Sequence, residues 1–504
     1  MRILKLILFA GLTSSIFVGC GGSSEIISTP IENIDAIPLK VSDLTEAEKQ
    51  NWGHLDLIKD TIPGMSVDKA YAEIDLLKTK GKKVVVAVID SGIDIDHEDL
   101  DGVIWTNEDE IPNNGKDDDK NGYVDDMHGW NFLGDAYDEQ LEFVRILAKG
   151  DTSDPRYADA QAEYESEFEK WNGYKTRYEQ LVGQLESSDK AIKAHLNKDS
   201  YSLEDLNKIS TEDEDLKKSV DFMKYLLSNG FENASEAHEA LSGSLDQIND
   251  RVNFNLNKDF NGRKTGDDPD DFSQKTYGDN NVKHSEKGES HGTHVAGIIA
   301  AERNNGLGAN GVANNVEIMA IRAVPNGDEY DKDIALAIRY AADNGAKVIN
   351  TSFGKYYSPN SKWVRDAIAY AAQKDVLIVN AAGNEGIDLD KKDVYPNDAV
   401  GTGPEVSDNF ISVGALEPKY GSGMLAGFSN YGKVNVDIFA PGAKVYSTTP
   451  ENEYDTKGGT SMASPAVAGL AALVRSYFPK LSASQVKKVI LDSTETLLLE
   501  NYYK

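Results

Sequence analysis

The chain of 504 residues carries 52 Lys and Arg against 84 Asp and Glu, a net charge of −32. No basic face easily outweighs such a field, which argues against a nucleic-acid partner. The length exceeds one ordinary core, so several folded units, or one core with large insertions, are expected; the single cysteine, Cys20, excludes an internal disulfide and leaves cohesion to packing and ions.

The first residues read as an export signal. Arg2 and Lys5 give a basic start, and Leu6 to Val18 is an apolar stretch shorter than a membrane span. Phe17-Val18-Gly19-Cys20 resembles a bacterial lipobox. Residues 1–20 are therefore expected to be a lipoprotein signal peptide, with Cys20 the lipidated residue that holds the protein on a membrane of the bacterial cell envelope, outside the cytoplasm. Phe17 stands where Leu is usual; a secreted product of a simple signal and an uncleaved anchor are the alternatives. Residues 21–48 mix Ser, Ile, Glu and Pro without periodicity and read as a tether. The interval from Cys20 to Trp52 is shorter than a segment that usually folds alone, so no folded pro-domain is expected there.

Val84-Val85-Val86-Ala87-Val88-Ile89 is a continuous β-branched run, the pattern of a strand buried on both faces of a parallel sheet. It ends in Asp90, at the carboxyl end of a strand, where open α/β sheets collect their chemistry. Ser91-Gly92 turns the chain, and Asp94, Asp96, His97 and Asp99 are expected mostly on a solvated loop. Asp117-Asp118-Asp119-Lys120-Asn121-Gly122-Tyr123-Val124-Asp125-Asp126 has the D-x-D-x-N-G spacing of a calcium loop. His128 takes the place of the bidentate Glu of an EF-hand, so a shortened site is expected, with Asp117, Asp119, Asn121 and Asp125 around a structural calcium ion; a merely solvated acidic turn is the alternative.

From residue 136 to 255 the pattern turns helical. Tyr164, Phe168, Trp171, Tyr178, Val182 and Leu185 recur at helical steps, and Leu216, Val220, Met223 and Leu227 form a second seam. Asn233 or Ser235 can cap a third helix near Ala237, Leu241 and Leu245. The expectation is an inserted helical hairpin with these aromatics in its core, rooted so that it can overhang a cleft as a lid or exosite. Asp267-Asp268-Pro269-Asp270-Asp271 reads as a loop.

Three further blocks carry polar groups at the ends of apolar elements. His291-Gly292-Thr293-His294 opens a helix of small residues; no third ligand accompanies the two histidines, so a general base at His291 and a structural His294 are expected rather than a metal pair. Lys347-Val348-Ile349-Asn350 and Val376-Leu377-Ile378-Val379-Asn380 read as strands leading into Thr351-Ser352-Phe353-Gly354 and Ala381-Ala382-Gly383-Asn384. Gly459-Thr460-Ser461-Met462-Ala463-Ser464-Pro465 opens an apolar helix, with Pro465 expected in its first turn. Ser461 there is an N-cap or a nucleophile beside unpaired backbone donors. Ser482 to Leu491 reads as one more helix.

Together, Asp90-Ser91-Gly92, His291-Gly292-Thr293-His294 and Gly459-Thr460-Ser461-Met462-Ala463-Ser464-Pro465 resemble the three signature blocks of subtilisin-like serine proteases, in that family's chain order. The resemblance covers roughly residues 50–135 and 260–495. It implies an α/β, three-layer fold with a mostly parallel central sheet, and a serine endopeptidase acting on proteins or peptides. Ser461 would be the nucleophile, His291 the base, Asp90 its orienting partner and Asn384 an oxyanion donor. Ser352, Phe353 and Gly354 would pair with an extended substrate, facing Ala382 and Gly383 across the pocket for the side chain before the scissile bond. Asp99, with Asn304 or Asn305, would form another calcium site. The interval between Asp90 and His291 is far longer than in a simple relative, so the peptidase is expected in two parts, 49–135 and 256–504, around the insertion 136–255. An esterase elbow is disfavoured, since Gly459-Thr460-Ser461-Met462-Ala463 lacks the second glycine.

Overall fold

β-branched runs form one seven-stranded sheet in a computed structural model that describes residues 40, 42–75, 79–283, 289–421 and 423–494. Cys20 and the expected signal peptide lie outside the described residues, as do residues 21–39 and 41 of the expected tether, whose end, from Glu46, already belongs to the helix Glu46–Asn51. The strands are β1 (Val84–Asp90), β2 (Gly129–Asn131), β3 (Val316–Arg322), β4 (Val348–Thr351), β5 (Leu377–Ala381), β6 (Phe410–Leu416) and β7 (Ile438–Pro441). Their order is β2-β3-β1-β4-β5-β6-β7, and every neighbouring pair is parallel. The chain thus departs from β1 to both sides, a switch point that leaves a crevice at its carboxyl end.

The two faces of β1 explain why it reads as apolar throughout. Val84, Val86 and Val88 pack with the helices His291–Ala300, Thr460–Tyr477 and Ala483–Asp492. Ala87 and Ile89 point the other way, to the helices Asp331–Asp343 and Ser361–Gln373. The result is the expected three-layer α/β arrangement. A separate antiparallel hairpin, β8 (Val445–Thr449) and β9 (Glu453–Lys457), lies against the histidine helix, with Ser447 Oγ and Thr448 Oγ1 donating to the carbonyls of His294 and Thr293.

The insertion is helical, as expected, but holds five α-helices and not the two of a hairpin. One helix runs for 40 residues, Tyr157–Leu196, preceded by Glu142–Ala148 and followed by Leu203–Lys208, Glu214–Ser228 and Ala234–Asp250. The distal part has its own core of Leu185, Ile192, Leu206, Val220, Met223 and Leu227. The aromatic seam divides differently from expectation. Tyr164 and Trp171 pack at the base of the insertion with Phe143, Ile146, Leu147 and Tyr357, Tyr178 and Val182 are half-buried, and Phe168 is 39% exposed. A helix this long serves two cores in succession, so no single stripe is buried along all of it.

The two ends of the insertion meet. Leu141 N–H donates to Asn255 O at 3.0 Å, Gln140 Nε2 to Asn257 O at 2.7 Å and Asn255 Nδ2 to Glu139 O at 2.9 Å. Among the described residues, no helix is long and apolar enough to cross a membrane.

Candidate active site

Asp90 ends β1 and is 1% exposed. Its Oδ1 accepts from the Ser91 N–H at 2.8 Å and from the Nδ1–H of His291 at 2.8 Å. Backbone proximity makes that bond possible: a Cβ on Gly292 would overlap the carbonyl of Gly92, so only glycine lets the histidine helix begin against the turn after β1. Burial alone would pull the His291 pKa down, but the charge and hydrogen bond of Asp90 outweigh it and hold the imidazole above its ordinary value.

Ser461 lies in the first turn of the helix Thr460–Tyr477. Its hydroxyl donates to Ser352 O at 3.0 Å, and Ser352 Oγ donates back to Ser461 O at 2.8 Å. Pro465 sits in the second turn, not the first as expected. It therefore removes the N–H that would pair with the Ser461 carbonyl, and the Ser352 hydroxyl takes that place. The Ser461 end of the helix is thus tied to the chain just beyond β4.

Asn384 is fixed by its oxygen, whose Oδ1 accepts from Thr460 N–H at 2.8 Å and from Thr460 Oγ1 at 3.0 Å. That leaves the Nδ2 group as its donor. A Cβ on Gly459 would lie 3.5 Å from this Nδ2, 3.6 Å from Oδ1 and 3.7 Å from Ser461 N, so the Asn384 amide and the backbone N–H of Ser461 flank one point beside the serine. Gly383, at φ +100°, cannot be replaced cheaply: a Cβ there would overlap Asn430 Nδ2. Ala382 is fully buried and Gly383 half-buried. Opposite them, Ser352 is buried and Gly354 exposed, while the Phe353 ring packs into the core under the sheet, leaving its backbone for pairing.

The structure therefore places Asp90 and His291 in contact, and Ser461 and Asn384 together through Thr460 and Gly459. A family model for subtilase peptidases matches residues 81–503. The chain belongs to the subtilase family. It is similar to a thermophilic serine proteinase of Bacillus sp. strain AK1, 46% identical over 37% of this chain and 43% of that protein. Subtilisin DY of Bacillus licheniformis is 40% identical over 43% of this chain and 74% of its own length. Thermitase of Thermoactinomyces vulgaris is 38% identical over 42% and 70%.

Several residues that hold this subtilase site together carry no signal in the sequence. Asn350 and Ser464 are buried; Asn350 Nδ2 donates to Ser352 Oγ at 2.9 Å, and Ser464 Oγ to Asn350 Oδ1 at 2.8 Å. Arg322, beside Asp90 in register, donates to Ser91 O at 2.9 Å and pairs with Glu289 at 3.2 Å, both side chains buried. His294, by contrast, is expected from the sequence to be structural; it is fully buried and its Nε2–H donates to Asp455 O at 3.1 Å. Burial drives its pKa down to about 3, so it stays neutral, as a structural histidine should.

The acidic loops differ from expectation. Asp94, His97 and Asp99 are buried rather than solvated, because they bond to the loop backbone and to neighbouring strands: Asp94 Oδ2 accepts from Glu451 N–H, and His97 Nε2–H donates to Glu453 O. Asp99 accepts from Asn305 Nδ2 at 2.7 Å and from Ala309 N–H at 3.1 Å, so the amide faces it with a donor; Asn304 N–H bonds to Asn310. In the loop after Ile111, Asp117 accepts from the N–H groups of Asn121 and Gly122, and Asp125 from those of Asn114 and Gly115. Both cap turns. The carboxylates that do converge are Glu110, Asp119 and Asp126, with ligand atoms within 4.8 Å of one another. Asn121 Nδ2 donates to Asp119 and Asp126. Glu110 Oε2 is buried with no hydrogen-bond partner among the described residues, and burial pushes the Asp126 carboxyl up to about 6.

Proposed function

We propose that the protein is a serine endopeptidase that hydrolyses peptide bonds of proteins through an acyl-enzyme on Ser461. The observation that carries this reading is the 2.8 Å bond between Asp90 and His291 at the sheet end where the Ser461 helix begins. When a peptide binds, rotation about the Cα–Cβ bond of Ser461 takes its hydroxyl from Ser352 O to His291. Nε2 then receives the proton as Oγ attacks the peptide carbonyl, and Asp90 holds the proton-bearing Nδ1 and stabilises the imidazolium. Asn384 Nδ2 and the Ser461 N–H receive the negative oxygen. His291 passes the proton to the leaving amine, and a water molecule repeats the sequence to free the acid.

Ser352, Phe353 and Gly354 supply main-chain groups for an extended substrate, and Ala382 and Gly383 the opposite wall of the pocket. Ser461→Ala tests the reading: casein cleavage and labelling by a fluorophosphonate should both disappear, and retained cleavage overturns it.

Glu110, Asp119 and Asp126 hold a calcium ion in this reading. Three carboxylates gathered with one buried oxygen unpartnered suit a hard cation that takes oxygen ligands, and the ion supplies a structural cross-link, not chemistry. Cys20 carries the lipid that keeps the enzyme on the cell envelope. A palmitate analogue should label the wild type and not Cys20→Ser; an unlabelled wild type removes the anchor.

A further inference from the structure

Directly after Ser352-Phe353-Gly354 the chain is held from two sides. Lys355 pairs its backbone with Tyr395, N–H to carbonyl in both directions at 3.0 and 2.9 Å. Its side chain, 1% exposed, runs to Glu142 at 2.9 Å and Asp331 at 2.9 Å and donates to Glu329 O at 2.7 Å. Glu142 opens the first helix of the insertion and also pairs with Arg145 at 2.6 Å, whose guanidinium lies over the Tyr330 ring at 4.1 Å. Two residues on, Tyr357 donates to Glu163 of the 40-residue helix at 2.9 Å, and its ring packs against Phe143 with centroids 6.1 Å apart.

We infer that the base of the insertion is a brace that positions the substrate-pairing segment Ser352–Gly354, with Glu142 and Glu163 as positioning residues. A lid must swing. This base is instead locked by buried ion pairs, for which removal of one partner leaves an unpaired charge, and its ends are bonded to one another at Leu141 and Asn255. The hydrophobic core of the distal helices is a separate cluster and does not include Tyr357. The two grips differ in kind. Lys355 holds the segment through buried charge pairs, whereas Tyr357 holds it through one half-buried hydrogen bond.

The inference rests on the peptidase reading, and its test keeps the two apart. Tyr357→Phe and Glu163→Leu each remove one half-buried hydrogen bond, the first its donor and the second its acceptor, and should fold with unchanged fluorophosphonate labelling. For a peptide that extends four residues on the acyl side, KM should rise about threefold to tenfold in each, with kcat little changed, which is roughly the loss of one net hydrogen bond. For p-nitrophenyl acetate, too short to pair with the segment, kcat/KM should match wild type. The double variant should equal either single one, since one bond is lost in all three. Unchanged KM for the long peptide, equal losses on both substrates, or additive losses in the double variant overturn the brace while labelling persists. A wild type that is not labelled overturns the peptidase reading and this inference with it.

Discussion

Asp90 Oδ1 serves two donors at once, the Ser91 N–H and the Nδ1–H of His291, each at 2.8 Å. The second bond sets the imidazole's tautomer and raises its pKa. His291 can act as a base only when neutral, so kcat/KM should rise as pH climbs through that raised value. In Asp90→Asn the upward push is gone while burial still pulls down, and the acid limb of the residual activity should move to lower pH. Turnover should fall about 10⁴-fold, the loss known for this carboxylate in serine peptidases, subtilisin among them. A pH–rate profile with the limb unmoved would contradict the role of Asp90.

Asn384→Ala should lower kcat about 10²–10³-fold with little change in KM, the effect known for such a donor in subtilisin. Asn384 also accepts from Thr460, so a second variant separates the two tasks. Asn384→Asp keeps the acceptor and loses the donor. It should be no faster than the Ala variant; recovered turnover would reduce the residue to a helix cap.

Ser352 and Pro465 should show coupled stabilities. Because Pro465 cannot donate, loss of the Ser352 hydroxyl leaves the Ser461 carbonyl without its partner, at a cost of about 1–3 kcal/mol. Adding Pro465→Ala restores a backbone donor to that carbonyl. Denaturant melts should therefore find the double variant more stable than Ser352→Ala alone, and simple additivity would count against the exchange.

Calcium at 100 times its dissociation constant should stabilise the fold by about 2.7 kcal/mol, a rise of several degrees in melting temperature. Glu110→Gln and Asp126→Asn should lose that response, while Asp117→Asn should keep it, because Asp117 only caps a turn. Thermal scans with calcium and with EDTA distinguish these outcomes, and identical scans for the wild type dispose of the site.

Met223→Ala, in the distal core of the insertion, should cost about 2–5 kcal/mol locally. Melting should begin earlier in that region by hydrogen exchange, with peptide turnover at low temperature unaffected. A parallel loss of turnover would mean that the distal helices share in catalysis.

Much of the site was legible because its residues sit where pattern and chemistry agree. Asp90 closes a β-branched run, and His291 and Ser461 each open a helix of small residues, so a period change marks all three. Asn350 and Ser464 were not legible: each lies within an apolar element, and only the packing of β4 against the Ser461 helix shows that they satisfy one another. The acidic loop was half read. Its spacing located the turn, but two converging carboxylates, Glu110 and Asp126, lie outside the four positions that the motif marks, and Asp117 and Asp125 are consumed by backbone N–H groups. The long helix was misjudged because a helical period shows a buried stripe but not which partner covers it; Trp171 and Leu185 belong to different cores.

The bond between Leu141 and Asn255 has a consequence for the chain's history and handling. With the two ends of the insertion clasped at one neck and its base bonded to the α/β fold at Glu142 and Glu163, the strands meet the same closed base whatever the length beyond it. Loop-closure entropy grows only as the logarithm of that length. The distal helices, whose core of Leu185, Leu206, Val220 and Met223 is separate from that base, are thus a cassette: they can be lengthened, trimmed or exchanged while the strands on either side keep their register.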